Sequence, residues 1–302
     1  MIEINRLFAC PICKKELAGQ ACKACRIIYA KDKVASFICR EMYPSDQAYA
    51  EAMRVIDFWG HGWRKRLEEP DHKFLQDLDP AGLAKYADQS LAWHKANRTL
   101  MAEVPLESMP GTLALNIGCG AGEEAVMLAR SGAGCIAMDI TVPAAEITNT
   151  LLEMLGRGAG IQGDARFLPL KHESVDLVYS SGVLHHSADV PKSIAEIHRV
   201  LKPGGTAYVM LYATWSIVFL QEKLMRWTGE KAWETEGRKN PCTTTYSVAE
   251  CNGLFSAFRS VRIGKRGASL RNIAKIGRFL PTAFDGIIDG PLGANINIIA
   301  RK

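Results

Sequence analysis

The run LALNIGCGAG, Leu113 to Gly122, is followed by CIAMDI, Cys135 to Ile140. An apolar stretch, a G-x-G-x-G turn, a helical stretch and a second apolar run ending in Asp139 have the layout of a βαβ unit that holds a nucleoside. The glycines admit the ligand to the backbone, and the acid ending the second strand meets ribose hydroxyls. The pattern predicts an adenosine-containing cofactor. Glycine in such a loop also serves tight turns alone, so the rest of the chain has to identify the ligand.

Further along come GIQGDARFLPL (Gly160 to Leu170), a buried-type strand opening into a turn in SVDLVYSSGVLHH (Ser174 to His186), and the amphipathic DVPKSIAEIHRV with Ile194, Ile197 and Val200 on one face. LKPGG then closes that helix ahead of the strand TAYVMLY, and final strands are expected at Ser260 to Ile263 and Ile296 to Ala300. Strands alternating with helices predict an α/β fold, a Rossmann-like doubly wound parallel sheet with ligands at the carboxyl ends of its strands.

The ordered set NIGCGAG, MDI, GDARFLPL, VDLVYSSGVLHH and LKPGG, within residues 111 to 212, resembles the S-adenosylmethionine-dependent methyltransferases of the seven-stranded Rossmann-like class, type 11-like. Nicotinamide dehydrogenases share the glycine turn and the ribose acid, but not the G-D-A turn followed by this HH and KPGG spacing. The resemblance implies S-adenosyl-L-methionine as cofactor and assigns roles by position. Gly118, Gly120 and Gly122 admit its methionine part; Asp139 accepts both ribose hydroxyls; Asp164 accepts from the adenine amino group, with the Ala165 amide opposite a ring nitrogen. Ser180 or Ser181 contacts the amino-acid end through backbone groups, and Asp176 is read as structural. One position departs from the family. Asn116 stands where an acid usually helps hold the cofactor's ammonium, and an amide oxygen brings no charge, so weaker cofactor binding is expected. His185 and His186 follow the strand carrying Ser180. His185 is favoured as a substrate-pocket residue or general base, against a reading in which one His packs and the other is solvated.

Near the start, Cys10, Cys13, Cys22 and Cys25 form CPIC and CKAC, two CxxC pairs separated by eight residues. Two knuckles facing each other make the tetrahedral sulfur cage that Zn²⁺ prefers in closed structural sites. A redox dithiol needs only one pair, and an iron–sulfur site stays open. So short a segment cannot bury a self-sufficient core, and metal binding on the order of 10 kcal/mol would supply its folding. LFACPICKKEL, ACKACRIIYA and KVASFI resemble the zinc-ribbon family of small activator subunits that partner tRNA and translation-factor methyltransferases. That likeness implies an attachment or partner-binding module, with strands at Ile27 to Tyr29 and Val34 to Ile38.

Between these regions the pattern turns helical from Ser45, an N-cap candidate, with Ala48, Ala52, Ile56 and neighbours at three and four residue steps until Trp59-Gly-His-Gly-Trp63 is expected to interrupt it. Further helices are expected at Phe74 to Leu78 and Ser90 to Glu103. His61, Trp63, His72, Tyr86, Trp93 and His94 read singly as packed or solvated groups, and together as a lid over the cofactor and part of a substrate wall. The domain plan is a zinc ribbon at 1–40, a helical linker and lid at 41–110, and a methyltransferase domain at 111–302 with a cap at about 213–245, where Trp215, Phe219, Leu220 and Trp227 line a pocket or pack.

A chain of 302 residues, 48% hydrophobic, can bury one large α/β core beside a small module. No apolar run is long enough to span a bilayer, and the N-terminus lacks the layout of a secretion signal, so no membrane partner and a soluble cytoplasmic protein are expected. Nine cysteines, an odd number, fit a reducing compartment. The net charge is +5, with eight Lys and Arg against three acids in residues 1–40 and nine against two in residues 259–302. Basic ends suit a phosphate or nucleic-acid partner, or else offset the zinc-bound thiolates and form a solvated helix face. The favoured function is therefore methyl transfer to a small-molecule acceptor, O, N, C or S. The ribbon then serves as scaffold, homodimer contact or partner contact. The alternative is rRNA or tRNA methylation, with the ribbon and a basic helix carrying Arg266, Arg271, Lys275 and Arg278 gripping phosphates. A third reading is a cofactor-binding pseudoenzyme.

Overall fold

The paired knuckles carry a small hairpin, β1 (Ala21–Cys22) and β2 (Ile27–Ile28), antiparallel with Ala21 opposite Ile28. A computed structural model describes residues 4–30, 32–107, 109–217, 242–267 and 285–302 of the chain. After the hairpin come β3 (Ala35–Ser36) and the long helix α1 (Asp46–Glu68), which the Ser45 hydroxyl caps by accepting from the Ala48 N–H at 3.1 Å. The expected break at Trp59 to Trp63 does not occur. Two interior glycines cost a helix about 2 kcal/mol in propensity, but Trp59 packs on His186 and Trp63 covers Gly120, so tertiary contacts hold the helix straight through.

A short turn α2 (Pro70–Lys73) and a 3₁₀ turn over Phe74–Asp77 lead to α3 (Pro80–Ala96). This helix starts ten residues before the expected Ser90, because Asp79 caps it through the Gly82 N–H at 2.7 Å and Pro80 sits at its first position. It ends at Asn97, and Leu100–Glu103 is a separate 3₁₀ turn rather than its continuation.

Alternating strands and helices then follow as β4 (Leu113–Ile117), α4 (Glu123–Arg130), β5 (Gly134–Asp139), α5 (Val142–Leu155), β6 (Gly158–Gln162), β7 (Val175–Ser181), α6 (Val190–Val200) and β8 (Leu201–Tyr212). LKPGG belongs to β8. Val175 pairs with Leu201 and Leu177 with Thr206, so the Pro-Gly stretch bulges out of the ladder. Lys202 on this bulge reaches the Asp176 carboxylate at 2.8 Å, and Asp176 also accepts from the Leu113 N–H, the structural role expected of it. A capped helix α7 (Val248–Leu254), β9 (Ser260–Arg266), α8 (Asp285–Leu292) and β10 (Asn295–Arg301) complete the described chain.

Eight strands form one sheet in the order β3-β6-β5-β4-β7-β8-β10-β9, all parallel except β10, which runs antiparallel to both its neighbours. The N-terminal module is part of this sheet. β3 extends the edge beside β6, and Phe8, Tyr29 and Phe37 share one buried cluster with Ile161, Leu168 and Leu170. Polar ties reinforce the join: Lys14 Nζ to Glu196 at 2.7 Å and Ser36 Oγ to Gln162 Oε1 at 2.6 Å. Among the described residues, no helix is long and apolar enough to cross a membrane.

Candidate functional site

Strand order reverses between β4 and β7, and at that point the carboxyl ends of β5, β4 and β7 diverge. A cavity of about 850 Å³ opens there. Its floor is the Gly118 to Ala121 turn, its sides are Asp139, Gly163 to Arg166 and Ser181 to Leu184, and its roof is α1. Ala48, Ala52, Val55, Trp59 and Trp63 project into it at three and four residue steps, one face of a single helix.

The turn needs its glycines. Gly118 and Gly120 both have φ in the left-handed region, and a Cβ would lie 2.2 Å from Val183 at Gly118 and 2.7 Å from the Trp63 ring at Gly120. Asp139, at the end of β5, accepts from the Thr141 N–H at 2.9 Å and hydroxyl at 2.8 Å through Oδ1, and from the Gly120 N–H at 3.2 Å through Oδ2. Burial pushes its carboxyl above the usual range, against those donors. Asp164 is already engaged. It accepts from the Arg166 N–H, from the Arg166 guanidinium at 2.6 Å and from the Tyr43 hydroxyl at 3.2 Å, and the guanidinium stacks over the Tyr43 ring. The segment just after the N-terminal module thus delivers a side chain to the site.

The two histidines separate. His185 is fully buried, stacks on Tyr212 at 3.7 Å, and neither of its ring nitrogens has a hydrogen-bond partner. Of the two histidines expected at the site it was the one favoured as a substrate-pocket residue or general base, but it does not line the cavity. His186 lines it, between Trp59 and Tyr212. Its Nδ1 lies 3.2 Å from the Cys242 carbonyl and 3.0 Å from the Thr243 hydroxyl; in the tautomer with its proton on Nδ1 the carbonyl accepts it and Nε2 is the ring's acceptor. Burial lowers the His186 pKa, so the ring is neutral at neutral pH.

Of the residues expected at the site, Gly118, Gly120, Asp139, Asp164, Ala165, Ser181 and His186 meet around the cavity. Asn116, Gly122, Ser180 and His185 do not: Gly122 faces Thr148 and Leu151, and Asn116 and Ser180 are buried in the sheet. Trp63, His72 and Tyr86 reach the cavity, whereas Trp93 stands exposed and His94 turns to Thr99 and Glu123. Glu123, Glu124, Arg166 and Trp59 were not singled out from the sequence. The acids directly after the glycine turn were the available signal. Trp215 is exposed, while Phe219, Leu220, Trp227, Arg271, Lys275 and Arg278 lie outside the described residues.

The four cysteine sulfurs cluster within 4.8 Å of one another, with Cys10 to Cys25 at 3.8 Å and Cys13 to Cys22 at 3.5 Å. Tetrahedral Zn–S bonds of about 2.3 Å place sulfurs about 3.8 Å apart, so the cage fits that ion.

Residues 115–209 match the family described as "Methyltransferase domain". The biotin biosynthesis bifunctional protein BioHC of Cellvibrio japonicus is 38% identical over 111 residues, 36% of this chain and 22% of that protein. The ubiquinone biosynthesis O-methyltransferase of Sinorhizobium medicae is 29% identical over 206 residues, 62% of this chain and 79% of that protein. Among solved structures, magnesium protoporphyrin IX methyltransferase from Synechocystis with bound S-adenosylhomocysteine superposes with a TM-score of 0.50 at 17% identity, covering 83% of this chain and 99% of that one; this likeness is one of fold. The chain spans between 22% and 50% of the length of the first four curated relatives it matches.

Proposed function

We propose, of a chain that carries a Rossmann-like methyltransferase domain, that it transfers a methyl group from S-adenosylmethionine to a small-molecule acceptor. The observation that carries this reading is the roofed cavity, which has a nucleoside end at Gly118, Asp139 and Asp164 and an aromatic end at Trp59, His186 and Tyr212. When bound, the cofactor supplies an electrophilic methyl group on a sulfonium.

The residues present fit it. Asp139 Oδ2 has capacity beyond its single Gly120 contact for a ribose hydroxyl, and the two glycines leave the turn open on the cavity side. Asp164 can accept from an adenine amino group once Arg166 or Tyr43 yields one of its bonds, since a carboxylate offers about four acceptor positions. At the far end, α1 excludes water and Trp59, Tyr212 and Val55 align an acceptor with an apolar body. His186 Nε2, neutral and next to that wall, takes the proton from an acceptor hydroxyl or amine as its lone pair forms the new bond. The Cys10, Cys13, Cys22 and Cys25 cage holds a structural zinc, because four thiolates leave no open coordination position.

Relatives named for ubiquinone and malonyl-acyl-carrier-protein methylation support a small-molecule or carrier-borne acceptor. The test is incubation with methyl-labelled S-adenosylmethionine, a bacterial metabolite extract and total RNA. Label in the low-molecular-weight fraction, reduced in His186→Ala, is the expected result. Label in RNA alone would overturn the choice of acceptor.

A further inference from the structure

The sheet face beneath the start of α4 holds polar groups that the fold leaves unsatisfied. Asn116 on β4 is 1% exposed; its Nδ2 donates to the Tyr179 carbonyl at 3.4 Å while its Oδ1 accepts nothing. Tyr179, registered opposite it on β7, is equally buried, and its hydroxyl has no partner. Ala114 and Leu177, two residues before each, pack in the cluster that contains α4, so both side chains lie on the α4 side of the sheet.

Above them Glu123 and Glu124 open α4 and line the cavity beside the glycine turn. Glu123 is paired: His94 Nε2 lies 3.4 Å from its carboxylate, and that contact holds it below the ordinary carboxylate range. Glu124 pairs with no Lys or Arg among the described residues, and burial with the neighbouring Glu123 charge pushes it up to about 7. Its carboxylate is also the charge that acts most on the Tyr179 hydroxyl. Asn116 contributes acceptor capacity and no charge. The cavity therefore offers one carboxylate with no Lys or Arg beside it, over a sheet face whose amide oxygen and hydroxyl the fold leaves unsatisfied, a setting that favours a compact cation with several N–H donors.

We propose that Glu124, which lines the cavity with Glu123 beside it, is the counter-charge for the primary ammonium at the amino-acid end of the bound cofactor, and that the unsatisfied Asn116 Oδ1 and Tyr179 Oη in the sheet beneath support that subsite from behind the cavity wall. The proposal rests on the S-adenosylmethionine reading above. The full chain is titrated calorimetrically with S-adenosylhomocysteine, which carries the ammonium, and with 5′-methylthioadenosine, which keeps the adenosine and sulfur but lacks the amino acid. Glu124→Gln is expected to weaken S-adenosylhomocysteine by roughly tenfold to a hundredfold, the worth of one charge-assisted bond, and to leave 5′-methylthioadenosine within about twofold. Retained 5′-methylthioadenosine binding also reports that the variant is folded, and Asn116→Asp in the same background should recover part of the loss. Unchanged S-adenosylhomocysteine binding, or equal weakening of both compounds, overturns the proposal while leaving the cofactor reading intact. A wild-type chain that binds neither compound overturns the cofactor reading itself.

Discussion

Glu124 is the residue whose chemistry most exceeds its local fold. A carboxylate held near neutrality by burial costs stability whenever the solvent pH lies above its unfolded value. Between about pH 4.5 and pH 7 the unfolded chain releases this proton while the native chain keeps it, so stability falls as pH rises through that window. The groups facing Glu124 are Glu123 on α4, His94 and Tyr86 on α3, and Tyr179 on β7. Glu124→Gln should therefore raise the melting temperature at pH 8, by the equivalent of about 1–3 kcal/mol, and should lose that gain near pH 4.5; thermal unfolding at the two pH values measures it. Asp139 and Gly120 were legible because residue type, spacing and role are tied together in one turn. His186 over His185 was not, since both lie in a short 3₁₀ turn, Leu184–His186, three residues beyond the end of β7, and the sequence does not say which of two successive turn residues faces the cavity.

At the scale of elements, α1 decides how closed the site is. Its glycine-bracketed aromatics look like a break when read for propensity, yet the segment stays helical because Trp59 and Trp63 each find a tertiary partner across the cavity. Gly62 has nothing within 4 Å of where a Cβ would sit and lies inside the helix. Gly62→Ala should thus stabilise the chain by roughly 0.5–1 kcal/mol without altering cofactor affinity, as chemical denaturation and titration would report. The strands were read closely from the sequence because buried parallel strands give continuous apolar runs. Helix boundaries in 70–110 were missed because the start signal at Asp79-Pro80 precedes a weakly amphipathic segment, in which apolar spacing gives little guidance.

Across the whole molecule, the cysteine-bearing segment and the eight-stranded sheet share one hydrophobic core. The sequence suggested an attached module, since nothing in CPIC or CKAC reveals that β3 will pair with β6 or that Phe8, Tyr29 and Phe37 will enter the main core. A strand pairing so distant in sequence is written in the partner's edge, and no local pattern reports it. Removing the proposed zinc with a chelator should consequently lower the melting temperature of a single calorimetric transition; two separate transitions would show that the ribbon unfolds independently. It should also weaken cofactor binding, because Tyr43, which follows the ribbon, donates to Asp164.

The proposed nucleoside end of the cavity is tested most directly by calorimetric titration of S-adenosylhomocysteine into the wild-type chain and into Asp139→Asn. Saturable binding of one equivalent is predicted for the wild type, weakened about tenfold or more in the variant by loss of charge-assisted bonds to the ribose. Absence of binding to the wild type, or equal affinity in the two proteins, would contradict it.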